Sequence, residues 1–235
     1  ILVTGANQGI GYEIVNQLAQ QGHTVYLGSR DESRGLEAAN KLGHKNVHVV
    51  QLDVTDQHSV NSAVKKIEAE QTHLDILVNN AGIASSGNDS AAAADIEAVK
   101  KVYETNVFGV MRVTTAFVPL LKKSANPIIL NVSSGLGSVT SQSNPNNPFA
   151  AFQFAAYNSS KSALNAYTVV LANDFKEARV NCISPGYVAT NMNGGKGHLT
   201  PQESAAGVIK VGVLLDKNGP TGKFLDYTGA YEWAW

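Results

Sequence analysis

The amino-acid sequence predicts an α/β protein, a single-domain Rossmann fold in which helices flank a doubly wound parallel β-sheet. Two observations carry this prediction. Short apolar segments alternate with amphipathic helical segments along the chain, which is the pattern of parallel strands joined by helices. The first apolar segment, residues 1–3, also runs directly into a glycine-rich turn and a helical segment.

The elements follow one another without a linker or an internal repeat, so residues 1–235 are predicted to form one domain. Strands are predicted at residues 1–3, 24–28, 47–52, 76–78, 128–132 and 180–183. Helices are predicted at residues 12–20, 32–42, 59–71, 94–121, 157–176 and 200–215. The last helix begins with a capping box, in which Thr200 and Glu203 satisfy free backbone N–H groups.

Residues 135–156 interrupt this alternation. They are rich in Ser, Asn and Pro and then in Phe, and they lie between the fifth strand and the helix of Tyr157. Ligands of doubly wound sheets bind beyond the carboxyl ends of the strands. We therefore predict an insertion loop on the substrate side, with a disordered loop as the alternative.

The composition excludes several classes of partner. The chain has 18 basic and 19 acidic residues, and this balance provides no footprint for nucleic acid or an anionic membrane surface. The apolar runs are too short to span a bilayer and no secretory signal is present, so we expect a cytoplasmic protein. The single cysteine, Cys182, falls within a predicted strand and is expected to be a buried structural thiol.

The turn after the first strand has three glycines, Gly5, Gly9 and Gly11, in the spacing Gly-x-x-x-Gly-x-Gly. Glycines in such a turn permit a tight bend, a close approach of the backbone to a pyrophosphate, and close packing of the helix whose N-terminus faces the phosphates. The spacing departs from the Gly-x-Gly-x-x-Gly fingerprint of dinucleotide sites. The turn predicts a dinucleotide site, and a plain glycine-rich loop is the alternative.

Tyr157 and Lys161 lie four residues apart in a predicted helix and therefore share one face. A nearby ammonium stabilises a phenolate and lowers the pKa of the phenol, which suits the phenol to exchange a proton with a substrate oxygen. A solvated surface pair with the same spacing is the alternative.

Further motifs occur along the chain in a fixed order, namely Thr4-Gly5-x-x-x-Gly9-x-Gly11, Asp53-Val54, Asn79-Asn80-Ala81-Gly82, Asn106, Asn131-Val132-Ser133-Ser134, Tyr157-x-x-x-Lys161 and Pro185-Gly186. In this order they resemble the classical short-chain dehydrogenase/reductase family over essentially the whole chain. The run Ser29-Arg30-Asp31 and the extended segment before Tyr157 resemble the carbonyl reductase branch of that family.

The resemblance implies a catalytic tetrad of Asn106, Ser134, Tyr157 and Lys161. Tyr157 would be the general acid in carbonyl reduction and the general base in alcohol oxidation, with Lys161 lowering its pKa and binding the nicotinamide ribose. Ser134 would bind the substrate oxygen, and Ser133 is the less favoured of the serine pair. Asn106 would hold a water that links Lys161 to solvent, its alternative being a polar residue that bends the helix.

The resemblance also implies contacts with a nicotinamide cofactor. They are expected from Gly5, Asn7, Gln8, Gly9, Ile10, Gly11, Arg30, Arg34, Asp53, Val54, Asn80, Ala81, Gly82, Tyr157, Lys161, Pro185, Gly186, Val188 and Thr190. For Asp53, capping of the following helix is an alternative that Thr55 and Asp56 also offer.

The end of the second strand predicts NADP(H) rather than NAD(H). Ser29 stands where an acidic residue would bind the ribose hydroxyl of NAD, and Arg30 and Arg34 can attract a phosphate there. Against this, Asp31 and Glu32 can pair with these arginines as a solvated helix start. In addition, Gln8 stands where NADP-preferring relatives often have a basic residue.

The predicted reaction is hydride transfer from NADPH to a small ketone or aldehyde, without a metal. An NAD-dependent alcohol dehydrogenase and a catalytically silent NADP-binding sensor are the alternatives. Aromatic and other apolar side chains that can line the pocket are Phe149, Phe152, Phe154, Tyr187, Met192, Trp233 and Trp235. The alternative is that these side chains, near loops and the last residues of the sequence, complete the core or an interface. A homodimer, a homotetramer and a monomer are all compatible with the sequence.

Overall fold

The computed structural model describes residues 1–85, 90–152 and 154–235, except for the side chains of residues 148 and 149. In these residues, seven parallel strands form one sheet in the order β3-β2-β1-β4-β5-β6-β7. The strands are β1 Leu2–Val3, β2 Val25–Ser29, β3 Val47–Gln51, β4 Ile76–Asn79, β5 Ile128–Val132, β6 Arg179–Ser184 and β7 Phe224–Asp226. The fold class predicted from the sequence is confirmed.

Helices cover both faces of the sheet. Their bounds are α1 Gly9–Gln20, α2 Glu32–Leu42, α3 Gln57–Glu70, α4 Ile96–Tyr103, α5 Val110–Leu121, α6 Val139–Ser143, α7 Ala155–Asp174 and α8 Pro201–Val208. Successive strand residues point to opposite faces. Leu2 accordingly packs with residues of α3, α5 and α7, whereas Val3 packs with residues of α1, α2 and α8. The two apolar clusters thus enclose the sheet.

Local sequence signals account for several helix starts. Asp31 accepts a hydrogen bond from the Arg34 backbone N–H at the start of α2, and Asp56 accepts two at the start of α3. The predicted capping box of Thr200 and Glu203 is present at the start of α8. Each such cap stabilises its helix by about 1 kcal/mol.

The helix predicted at residues 94–121 is helical from Ile96 to Leu121, but it is not α-helical throughout. A π-helical segment, Glu104–Gly109, separates α4 from α5, and Asn106 lies within it. A second π-helical segment, Ile209–Val213, follows α8. The apolar spacing that predicts a helix does not distinguish an α-helix from a π-helix. The partners that hold the Asn106 side chain also lie 23 and 54 residues away in the chain, so no local pattern reveals them.

Strand β7 is absent from the sequence-based prediction. It has only three residues, which is too short for an alternating pattern to identify, and it is defined by its pairing with Cys182–Ser184 of β6. The ring of Phe224 stacks against both Trp233 and Trp235. The last described residues therefore fold back over the edge of the sheet.

The segment predicted as a loop, residues 135–156, contains three short helical pieces in its described part, besides the start of α7. A 3₁₀ turn at Gly135–Gly137 is followed by α6, and a second 3₁₀ turn covers Pro148–Ala151. Residue 153 lies outside the described residues. Over the described ranges, no helix combines the length and apolar character needed to cross a bilayer.

Candidate active site

A cleft of about 700 Å³ opens at the carboxyl ends of the strands and collects most of the predicted site residues. Those that line it are Gly5, Asn7, Gln8, Gly9, Ile10, Arg30, Arg34, Asp53, Val54, Asn80, Ala81, Gly82, Tyr157, Lys161, Pro185 and Thr190. Five predicted residues are not in its lining: Gly11, Asn106, Ser134, Gly186 and Val188. The cleft thus follows the predicted path of a dinucleotide.

The glycine turn is held against the end of β4. Gly5 has a φ of 60°, and a Cβ on it would lie 2.8 Å from the Cα of Ala81. The Thr4 hydroxyl accepts hydrogen bonds of 3.0 Å from the backbone N–H groups of Asn80 and Ala81. Gly11 allows the start of helix α1 to pack closely, since a Cβ there would collide with the Asn80 side chain.

Asp53 and Asp56 have separate roles. The carboxylate of Asp53 accepts hydrogen bonds from the backbone N–H and the hydroxyl of Thr55, at 2.9 and 2.7 Å. Asp56 caps helix α3. Of the two alternatives that the sequence offers for Asp53, capping of this helix is therefore excluded, and Asp53 lines the cleft beside Val54.

Two arginines line the cleft beyond β2. The Arg34 guanidinium is 3.9 Å from the Asp31 carboxylate, and both side chains are largely exposed. Exposed pairs of this kind contribute about 0–1 kcal/mol, so Arg34 can exchange this partner for a ligand. Arg30 is exposed and has no side-chain partner among the described residues. The Ser29 hydroxyl is used within the protein, because it donates to the Asp31 carbonyl at 2.7 Å.

The two serines after β5 differ in whether their hydroxyls can bind a ligand. The Ser133 hydroxyl is buried and donates to the Asn165 side chain at 2.6 Å, which commits it to a structural contact. Ser134 is partly exposed and forms a hydrogen bond with the phenol of Tyr157. Of the two serines, Ser134 is therefore the one whose hydroxyl can reach a ligand oxygen together with Tyr157.

Burial governs the protonation of Tyr157 and Lys161. Burial raises the pKa of Tyr157, and the hydrogen bond with Ser134 opposes this increase. Burial also lowers the pKa of Lys161 to about 8. The Lys161 ammonium donates to the Val132 carbonyl at 2.8 Å and lies 5.7 Å from the centre of the Tyr157 ring. The predicted lowering of the Tyr157 pKa by Lys161 is thus not the dominant effect in this structure.

The Asn106 side chain is fully buried and has protein partners. Its carbonyl oxygen accepts from the Ile83 N–H at 2.8 Å, and its amide donates to the Ile83 carbonyl at 2.9 Å and to the Ser160 hydroxyl at 3.0 Å. Asn106 therefore ties the segment after β4 to helix α7. Both amide hydrogens are used in this way, which leaves one lone pair of the side-chain oxygen for the predicted water.

The segment after β6 covers one side of the cleft. Gly186 has a φ of 83° and packs against Leu199, which also forms an isolated bridge with Val188. Because of these contacts, Gly186 and Val188 pack against Leu199 within the segment and do not line the cleft. Beyond Thr190, the Asn191 amide donates a hydrogen bond to the Gln8 side chain at 3.2 Å and so joins this segment to the glycine turn.

Sequence reasoning missed several residues of the cleft, among them Lys101, Thr105 and Asn191, whereas Met192, which it named as a pocket residue, does line the cleft. Lys101 lies on the stripe of α4 that faces the cleft, together with Ala98 and Val102. A lysine in an amphipathic helix has no local feature that separates a cleft position from a solvent position. Only the packing of α4 reveals it.

The aromatic residues proposed for a substrate pocket fall into two groups. Trp233 packs against Gly135, where a Cβ would lie 2.6 Å from its ring, and its indole N–H donates to Asp226. The side chains of Phe152, Phe154, Tyr187 and Met192 are exposed. The side chain of Phe149 lies outside the described residues.

Comparisons with known proteins agree with this geometry. The family model described as short chain dehydrogenase matches residues 1–199. The chain is 37% identical to a salutaridine reductase of Papaver bracteatum, over 96% of this chain and 93% of that protein. It is 32% identical to a (+)-neomenthol dehydrogenase of Capsicum annuum, over 95% and 94%. Among solved structures, NADPH-bound carbonyl reductase from chicken fatty liver superposes with a TM-score of 0.88 at 30% identity, covering 100% of this chain and 98% of that one.

Proposed function

This chain belongs to the short-chain dehydrogenase/reductase family, and on that premise we propose that it reduces the carbonyl group of a small ketone or aldehyde with NADPH. Alcohol oxidation is the reverse of the same reaction. The observation that carries the proposal is the hydrogen-bonded pair of Tyr157 and Ser134 beside a cleft that Lys161 also lines. The relatives named above include two reductases and a dehydrogenase of small molecules.

The cleft fits a nicotinamide dinucleotide. Gly5 and Gly9 both have positive φ values, so the turn leaves backbone exposed where side chains would otherwise stand. Asp53, Val54, Tyr157 and Lys161 all line the cleft. In this proposal Asp53 and Val54 would contact the adenine, and Tyr157 and Lys161 would lie at the nicotinamide end. A bound nicotinamide cofactor supplies the hydride for the reaction.

The protein residues supply and direct the proton. Because burial raises the pKa of Tyr157, its phenol retains its proton at neutral pH and is ready to act as a general acid. Ser134 donates a second hydrogen bond to the same substrate oxygen and stabilises the negative charge that develops on it. Lys161 lies close enough to favour the phenolate that remains after proton transfer.

Two arginines support a preference for NADPH over NADH. Arg30 has no side-chain partner among the described residues, and Arg34 has only a long, exposed contact with Asp31. Both line the cleft beyond Ser29, and the Asp31 carboxylate that also lies there is only 3.9 Å from Arg34 and is used as the cap of helix α2. Arg side chains bind phosphate through paired N–H donors.

The test is to follow the absorbance of NADPH and NADH during incubation with aldehydes, aryl ketones, diketones and cyclic ketones. The wild type should consume NADPH with at least one carbonyl compound, and the Tyr157→Phe variant should not. NADPH binding, followed by fluorescence, should be retained by the variant. Equal turnover by the variant would remove Tyr157 from the mechanism. If the wild type binds NADPH but reduces no compound of the panel, the result would favour the alternative function, a catalytically silent NADP-binding sensor.

A further inference from the structure

Ser134 lies in a turn, residues 133–137, both ends of which are bound to helix α7. At the first end, the Ser133 hydroxyl donates to the Asn165 side-chain oxygen at 2.6 Å. At the second end, the Gly137 carbonyl accepts from the Asn165 amide at 3.2 Å and from the Ser162 hydroxyl at 2.9 Å. One side chain, Asn165, therefore contacts both ends of the turn.

The contacts of Asn165 are buried and close. Ser133 is 2% exposed and Asn165 is 3% exposed, so water does not compete for these hydrogen bonds. The turn itself lies directly on α7, since a Cβ on Gly137 would be 2.8 Å from the main-chain carbonyl carbon of Lys161. A carboxamide suits this place because it offers an acceptor and a donor in one rigid plane.

Helix α7 also carries Tyr157 and Lys161. Asn165 follows Lys161 by four residues and Tyr157 by eight, which places all three on one side of the helix. The helix that presents the phenol thus also holds the turn that presents the Ser134 hydroxyl. The distance between the Ser134 hydroxyl and the Tyr157 phenol therefore depends on how the turn packs against α7.

We propose that Asn165 is a positioning residue: by holding both ends of the turn at residues 133–137, it sets the place of the Ser134 hydroxyl relative to the Tyr157 phenol. The inference rests on the proposed carbonyl reduction, in which these two groups bind one substrate oxygen. Asn165 itself is buried and is not part of the cleft lining. A displacement of about 1 Å in such a constellation can reduce turnover by about a hundredfold.

The test measures the effect of Asn165→Leu on kcat in two backgrounds, the wild type and Ser134→Ala. In the wild-type background kcat should fall about ten- to a hundredfold, while the KM for NADPH stays unchanged. In the Ser134→Ala background Asn165→Leu should cause little further loss, because the group it positions is gone. An equal fall in both backgrounds would overturn the proposal and indicate a general structural role.

Thr168→Val is the matched control. Thr168 is also a buried polar residue of α7, and its hydroxyl accepts from Asn131 at 2.9 Å, within strand β5 and outside the turn. Thr168→Val should therefore leave unaffected the ratio of kcat in the wild-type background to kcat in the Ser134→Ala background. Ser133→Ala, a smaller change that removes one partner of Asn165, serves if Asn165→Leu does not fold, and it should give the same dependence on Ser134.

Hydrogen exchange provides a readout without turnover. Amides of the turn should exchange faster in Asn165→Leu than in the wild type, and at the wild-type rate in Thr168→Val. Unchanged exchange in Asn165→Leu would overturn the proposal. If the wild type reduces no carbonyl compound, the proposed function fails, and the exchange experiment still decides whether Asn165 holds the turn.

Discussion

The Lys161 side chain donates a hydrogen bond to the main-chain carbonyl of Val132, 2.8 Å away at the end of strand β5. This contact holds a buried ammonium between the sheet and helix α7, beside the phenol of Tyr157. Among the described residues, no carboxylate pairs with it. The site therefore keeps a cation whose burial lowers the stability of the fold.

Lys161→Met should raise stability while it abolishes activity. The pKa of Lys161 is lowered from 10.5 to about 8, so the unfolded chain binds this proton more tightly than the folded chain. Wild-type stability should accordingly rise with pH between these two values. At neutral pH the variant should gain about 1–3 kcal/mol in the free energy of unfolding.

Urea unfolding at neutral pH and at about pH 10 measures this difference. The gain should be largest at neutral pH and mostly lost at the higher pH, where the folded wild type has released the proton. Lys101→Met, which removes an exposed lysine of the same cleft, should change stability little at either pH. A variant less stable than the wild type at neutral pH would contradict the prediction.

Arg30→Asp should reverse the cofactor preference. The change removes a free guanidinium from the cleft and introduces a carboxylate that repels a ribose phosphate and can accept from a ribose hydroxyl. We expect NADPH affinity to fall about ten- to a hundredfold, with NADH affinity unchanged or higher. Titration of the protein with NADPH and with NADH gives the ratio of the two affinities. Lys45→Asp, the same charge change before strand β3, should leave the ratio unaltered.

Gly135→Ala should displace Trp233. The added Cβ would lie 2.6 Å from the indole ring, a separation that forces the ring to move. We expect a loss of about 1–3 kcal/mol in the free energy of unfolding and an altered KM for bulky ketones, with NADPH affinity unchanged. Adding Trp233→Phe should restore part of the stability, because the smaller ring relieves the contact. If the double variant recovers no stability, then a collision with the Trp233 ring is not the cause of the loss.

Asn191→Ala should speed the release of NADPH. The Asn191 amide binds the Gln8 side chain at 3.2 Å, and both residues line the cleft on opposite sides of its mouth. Loss of an exposed hydrogen bond of this kind costs about 0.5–1.5 kcal/mol, or about a two- to tenfold faster release. Stopped-flow fluorescence measures the rate. Gln20→Ala, which removes an equally long exposed amide pair with Asn16 at the far end of α1, should release NADPH at the wild-type rate.

Local patterns were sufficient for much of the fold and the site. The glycine turn, the spacing of Tyr157 and Lys161, and the capping box of Thr200 and Glu203 all depend on residues within one or two helical turns of each other. Such short spacings have one geometric meaning once the backbone is helical or tightly turned. The sequence could therefore predict the parallel sheet, the glycine turn that follows its first strand and the phenol–ammonium pair.

The remaining features depend on contacts between distant parts of the chain. Asn165 meets Ser133 across 32 residues, and Gln8 meets Asn191 across 183. Strand β7, the π-helical segment around Asn106 and the direction of the Tyr157 pKa shift likewise follow from packing and burial. The sequence by itself determined the elements that have a local pattern, and which chemical groups are present. Only the tertiary structure decided their partners, because burial and long-range hydrogen bonds exist only after the elements have packed.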